Sequence, residues 1–441
     1  MRFRKSEGLT ASEALLAGLC ERSFLQLWTY PNLFKEPGKE LIDLMVVFGN
    51  DILLFSDKSC AYPQTGNPAL DWQRWFSRAI GKSAHQVLQA ERWLRTYPGR
   101  IFLDAKASEP LPITLPSPAD MRIHRICVAT GAAEQCRRVT GQPMLGIDLT
   151  VTDAETPLRI GAVTKAGGFL HVFDAEALAL VLAELDTIND MVGYLNAKAA
   201  LVAAGKFKGA QAESDILAYY LHNGRSFPDT DDDFVLELNL WAQLEAQAAF
   251  REGRRLNNAH RVWDRLIEVV TQRYLAEELE FGNELIMDDY ERGVRVMAGE
   301  SRFHRRILSQ AIEDRALRAR DVWVPSILPS AREGIFYVLL IGPGAPQERY
   351  AEYRAQRSQE LTLRCYAAKA ARPVARYIVG IGLDGAWQQG GSQDLIYLDT
   401  SGWNEAVIAR ANELRADLGY FVDGVMNERN IVADEYPCIG Q

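Results

Sequence analysis

Residues 38–58 read GKELIDLMVVFGNDILLFSDK, two apolar runs whose outer ends carry Glu40, Asp43, Asp57 and Lys58. Gly49-Asn50 stands between the runs and can supply the positive φ angles of a tight turn, so the stretch is predicted to be a β-hairpin. With a two-residue loop, counting places Phe48 opposite Asp51, Asp43 opposite Ser56 and Leu41 opposite Lys58. Side chains alternate faces along a strand. Asp43, Ser56 and Lys58 therefore share one face near one end, while Glu40 and Asp57 point to the other. From Leu44 to Phe55 both faces are apolar, as expected of a central hairpin covered on both sides. A buried charge without a partner is very costly, so Asp43 and Lys58 must reach a metal, each other or water. A three-residue loop centred on Asn50 would instead set Asp43 opposite Asp57.

An acidic residue on one strand and a lysine on the next, antiparallel strand resembles the signature of the PD-(D/E)XK, or restriction-endonuclease-like, nucleases. The resemblance covers residues 1–110. It implies an α-β-α core in which Asp43 is the first metal-binding acid and Lys58 the lysine that orients or activates the attacking water. The cofactor it implies is Mg2+ or Mn2+. Ser56 stands where the family places its second acid, and a hydroxyl is a poor magnesium ligand. Asp57 turned in by a bulge or a longer loop, or Glu40, would complete the site; with neither, the site is inactive.

The flanks agree with this order of elements. Thr10-Ala11-Ser12-Glu13 opens a helical pattern that Thr10 or Ser12 can cap, with Leu15, Leu16, Leu19, Phe24 and Leu25 on its apolar stripe. The resemblance implies a metal-site glutamate on such a helix, Glu13 or Glu21. Asp71 to Arg95 is expected as a second amphipathic helix packed through Trp75, Ile80, Val87 and Trp93, and the resemblance marks Gln86 on it as a supporting residue.

The rest of the chain divides by pattern. Short β-rich runs between Arg122 and Asp174 extend the first sheet or form their own. Residues 175–325 read as helical, beginning with one long helix over Ala175–Ala204. Pro325 and Pro329 mark a boundary, and residues 330–441 alternate strands and helices as an α/β lobe. The predicted class is thus α/β, with a nuclease-like core, a helical middle and a C-terminal lobe. Gly380 to Gly385 matches GxGxxG but is followed by a turn-like stretch rather than a helix, which counts against a dinucleotide site.

Composition bounds the function. The 441 residues are 48% hydrophobic and can bury several cores. Six cysteines without a CxxC pair are expected as reduced thiols, against a zinc ribbon or a secreted disulfide scaffold. No signal-peptide core or membrane-span pattern occurs, so the expected location is the cytoplasm. A net charge of −9 means that nucleic acid, DNA being the expected partner, must meet local basic patches. Arg302, Arg305 and Arg306 form the densest candidate, with Arg251, Arg254 and Arg255 as another. By analogy, a homodimer or a bacterial defence complex is the expected assembly. The rival readings are a degenerate nuclease-like fold that binds nucleic acid or scaffolds a complex, and an interaction protein that uses its helical middle.

Overall fold

The computed structural model describes residues 3–152, 154–163, 168–279, 284–388, 391–422 and 432–437. Chain contacts divide it into two units, Met1–Arg251 and Glu252–Gln441, where the sequence patterns suggest three regions.

The first unit opens with α1 (Ala11–Phe24), then β1 (Thr29–Glu36), β2 (Lys39–Phe48) and β3 (Asp51–Ser59). α2 (Pro68–Phe76) and α3 (Lys82–Thr96) follow, then β4 (Arg122–Thr130), α4 (Ala133–Thr140), β5 (Gly146–Thr152), β6 (Arg159–Ala162) and β7 (Leu170–Phe173). The unit continues through α5 (Ala175–Glu184), α6 (Ile188–Ala203), β8 (Phe207–Ala210), α7 (Glu213–His222), β9 (Phe234–Val235) and α8 (Leu240–Ala246).

β2 and β3 are the predicted hairpin. Gly49 has φ +60, and Phe48 pairs with Asp51, Val47 with Ile52 and Leu44 with Phe55. The two-residue loop is the one present, which excludes the longer loop that would have paired Asp43 with Asp57. The strands are the centre of a sheet ordered β1-β2-β3-β4-β7, antiparallel from β1 to β3 and parallel from β3 to β7. Leu44 through Val47 and Ile52 through Phe55 are at most 2% exposed, as the two apolar faces require. β4 and β7 thus extend the hairpin's sheet, while β5, β6, β8 and β9 form a second one.

Two helices depart from the sequence reading. The helix expected over Asp71–Arg95 contains a π-helical turn, Ser77–Gly81, between α2 and α3. The extra residue in such a turn advances the following face by roughly 100°, so α3 takes its phase from its own packing rather than from α2. The helix expected over Ala175–Ala204 is broken: α5 ends at Glu184, and α6 starts afresh where Thr187 caps the Asp190 amide.

The second unit contains the rest of α9 (Ala248–Asn257), then α10 (Arg261–Ala276), α11 (Met287–Ala298) and α12 (Arg302–Arg318). Its sheet is β10 (Val324–Pro329), β11 (Ile335–Gly342), β12 (Tyr377–Asp384) and β13 (Asp394–Asp399), with α13 (Tyr350–Ala371) between β11 and β12 and α14 (Glu405–Leu418) last. Pro325 and Pro329 do not lie between elements. They sit within β10, at the sheet's edge, where a missing N–H is tolerated. Of the GxGxxG string, Gly380 and Gly382 lie inside β12 and serve packing. A Cβ on Gly380 would meet Cys365 Sγ at 2.5 Å and Leu361 Cγ at 3.2 Å, so the glycines let α13 close onto the strand. Gln389 and Gly390, just after the string, are outside the described residues, as is Cys438; the five described cysteines are free thiols. Among the described residues, no helix is long and apolar enough to cross a membrane.

Gly380→Ala should destabilise the second unit by about 1–3 kcal/mol, the usual cost of forcing an atom into a filled core. Urea unfolding of the full chain would read it. An unchanged midpoint would mean that the helix–strand spacing does not depend on this glycine.

Candidate active site

The site forms where β2 begins and β3 ends, the end of the hairpin away from its turn. Below Leu44 the backbone ladder gives way to side-chain bonding. The Asp57 amide donates to Asp43 Oδ2 at 2.6 Å, and Lys58 Nζ reaches the same oxygen at 3.0 Å. Asp43 is 2% exposed, whereas the Lys58 side chain is 29% exposed. The ion pair therefore has one buried member and one that reaches solvent. The predicted juxtaposition of Asp43, Ser56 and Lys58 on one face is present.

α3 covers that face. Gln86 Nε2 donates to Asp43 Oδ1 at 2.7 Å, and its Oε1 accepts the Ser56 hydroxyl at 2.8 Å. The Ser83 hydroxyl donates to the Ser56 carbonyl at 3.0 Å, which anchors the first turn of α3 on β3. Where the second acid was expected, the chain places a serine and an amide that bond each other and brace Asp43. An amide there holds the carboxylate without adding charge.

Asp57 points the other way, toward α1. The Ser12 hydroxyl donates to its carboxylate, and Oδ1 is buried with no hydrogen-bond partner. Burial pushes the Asp57 carboxyl above its ordinary range, and the nearby Asp43 and Glu13 charges add to this against Ser12 and Lys58. Ser12, considered as a cap, serves the site instead: Thr10 caps α1 through a reciprocal box with Glu13.

Asn32 joins the remaining acids and went unnoticed in the sequence. Fully buried on β1, at φ +47, it donates from Nδ2 to Glu13 Oε2 at 2.9 Å and to Glu40 Oε1 at 3.1 Å. Burial raises the Glu40 carboxyl, with Asp43 and Glu13 adding and Asn32 and Lys58 opposing. The signal was local: an Asn, one of the few residues that tolerate left-handed backbone, inside a Tyr-Pro-Asn-Leu-Phe strand. Glu21 is elsewhere; the charges that act on it are Lys5 and Glu7.

Asp43, Asp57, Glu40 and Glu13 thus feel one another's charge across the strand ends. In this arrangement they do not close on a common centre: among the described residues no three His, Cys, Asp or Glu side chains are placed as a metal cage. Lys58 is the cation that faces them.

Of the arginines proposed for nucleic acid, Arg302, Arg305 and Arg306 lie in the second unit and are used internally, whereas Arg251 and Arg255 are exposed. Arg305, 1% exposed, donates to Asp264 Oδ1 at 2.6 Å and to the carbonyls of Ala298 and Glu300. Arg306, 3% exposed, donates to Asn257 Oδ1 and the Asp434 carbonyl, and Arg302 is 4% exposed. Their guanidiniums face protein and are not presented to phosphate, because α12 packs the run Arg302–Arg306 inward.

Compared with known proteins, the chain matches no family model, no curated protein and no solved structure.

The raised Asp57 carboxyl gives a sign that can be measured. Its folded form favours the proton more than the unfolded chain does, so it supports stability at low pH and loses that support as pH rises through its raised pKa. Metal-free Asp57→Asn should then be more stable than the parent at neutral pH, with the gain vanishing near pH 4. Thermal midpoints across pH would show it; a gain that is constant or grows toward acid would refute the cause.

Proposed function

We propose that the Met1–Arg251 unit hydrolyses phosphodiester bonds of nucleic acid with a divalent cation, magnesium or manganese, as restriction-endonuclease-like nucleases do. The observation that carries this reading is the buried Asp57 oxygen without a partner, beside an Asp43–Lys58 pair at the end of a helix–three-strand–helix–strand arrangement. A buried carboxylate oxygen in a cluster of acids is an acceptor that a cation can satisfy.

Asp43 and Asp57 are the residues that would hold the ion, with Glu40 and Glu13 behind them. The bound cation would supply charge neutralisation at the scissile phosphate and a more acidic water. Gln86 and Ser56 hold Asp43 in one orientation. Lys58, tethered to Asp43 yet open to solvent, can donate to a phosphate oxygen or position water at the site's mouth.

A second reading has its own support. Asp43 already accepts bonds from Lys58, Gln86 and the Asp57 amide, and Ser56 replaces an acid, as in a degenerate fold that binds without cutting. The full chain should cut DNA or RNA in magnesium or manganese, with Asp43→Asn and Lys58→Ala lowering the rate by about 100-fold or more, the usual loss when an electrostatic catalytic group is removed. Binding without cutting, insensitive to divalent ions, would select the degenerate reading.

A further inference from the structure

Two helical turns beyond Gln86, on the same side of α3, stands Trp93, roughly 10 Å further along the axis at α-helical rise. Its ring lies 4.7 Å, centroid to centroid, from that of Tyr97, which is 44% exposed. Two cations lie over these rings. Lys35 Nζ is 5.9 Å from the Trp93 centroid, and the Arg100 guanidinium is 5.3 Å from Trp93 and 5.5 Å from Tyr97. Lys35 follows Phe34, which pairs with Glu40 at the start of β2, three residues before Asp43. Lys39 is exposed beside this cluster. Glu36 is the acid in contact, held by Lys39 at 2.7 Å and Arg100 at 3.5 Å.

In a chain of net charge −9, an aromatic pair carrying solvent-reaching cations needs an explanation. The indole N–H donates to the Arg100 carbonyl at 2.9 Å, which fixes the edge of the ring beneath the cations that cover it. A nucleobase can take the place of a cation over the ring, and the displaced cation can move to the adjoining phosphate. Both halves of a nucleotide are then satisfied by groups already side by side. A duplex hides its base faces and cannot use such a surface.

We infer that Lys35, Trp93, Tyr97 and Arg100 form a stacking platform for single-stranded nucleic acid that leads into the Asp43–Lys58 site. The inference takes its substrate class from the nuclease reading, but its geometry stands apart from the catalytic groups.

Binding is measured by fluorescence anisotropy on the full chain in EDTA, so that cutting plays no part. The probes are short labelled oligothymidylate and oligouridylate and a duplex of equal length. Single strands should bind more tightly than duplex. Trp93→Ala and Tyr97→Ala should each weaken single-strand binding about 5- to 100-fold, with Trp93→Phe retaining most of it. Lys35→Gln with Arg100→Gln should lower the slope of log affinity against log salt by about 1 to 2. If Trp93→Ala does not fold by circular dichroism, the exposed Tyr97→Ala decides. Duplex bound as tightly as single strand, no binding at all, or unchanged affinity in the aromatic variants overturns the platform. Loss of cutting with the platform's binding intact would instead count against the catalytic reading alone.

Discussion

The meeting of β2, β3 and α3 is arranged around one buried acid. Asp43 is almost wholly removed from water, and a bare carboxylate in that position would cost more than a small domain can spare. The cost is met by four donors: the Lys58 ammonium, the Asp57 amide, the Gln86 side chain and, at 3.4 Å, the Ser56 hydroxyl. These donors belong to β3 and α3, so satisfying the charge fixes how β2 meets β3 and how α3 lies across both. The Asp57 amide bonds the Asp43 side chain where the β2–β3 ladder has ended, while β3 stays paired with β4 and strand alternation carries the Asp57 carboxylate toward α1.

The hairpin was legible because its information is local. Gly49-Asn50 fixes the loop, the alternation fixes the faces, and the ion pair then follows by counting. Gln86 was legible through the resemblance, although its distance from Asp43 depends on a π-helical turn that no spacing in Trp75–Ser83 announces. Such a turn forms when tertiary packing, here two fully buried tryptophans ahead of it, outweighs regular helical bonding. Asn32 was missed for the opposite reason. Its role needs Glu13 and Glu40, which come from other elements and meet only in the fold.

The arginines show the limit of reading charge density along a chain. Arg302, Arg305 and Arg306 look like a basic face on paper, yet Asp264 and backbone carbonyls take Arg305 and Arg306 into the protein and Glu435 faces the buried Arg302. Lys35 and Arg100, far apart in sequence, make a basic surface that a linear scan does not reveal. Likewise Gly380 and Gly382 carry a motif's spelling for a packing reason, since the helix above them leaves no room for a side chain.

The parallel pairing of β3 with β4 bears on how the molecule is made. The β2–β3 hairpin is closed by its own two-residue turn, among the faster events available to a chain, and can assemble while Asp43 is still hydrated. Bringing Arg122 alongside Asp51 requires the whole excursion from Ser59 through α3 to be gathered in, which is slow in loop-closure terms. Dehydration of the carboxylate belongs to that later step, because Gln86 rides on the same excursion. The electrostatic commitment of this fold is therefore made at tertiary closure and not when its strands first meet.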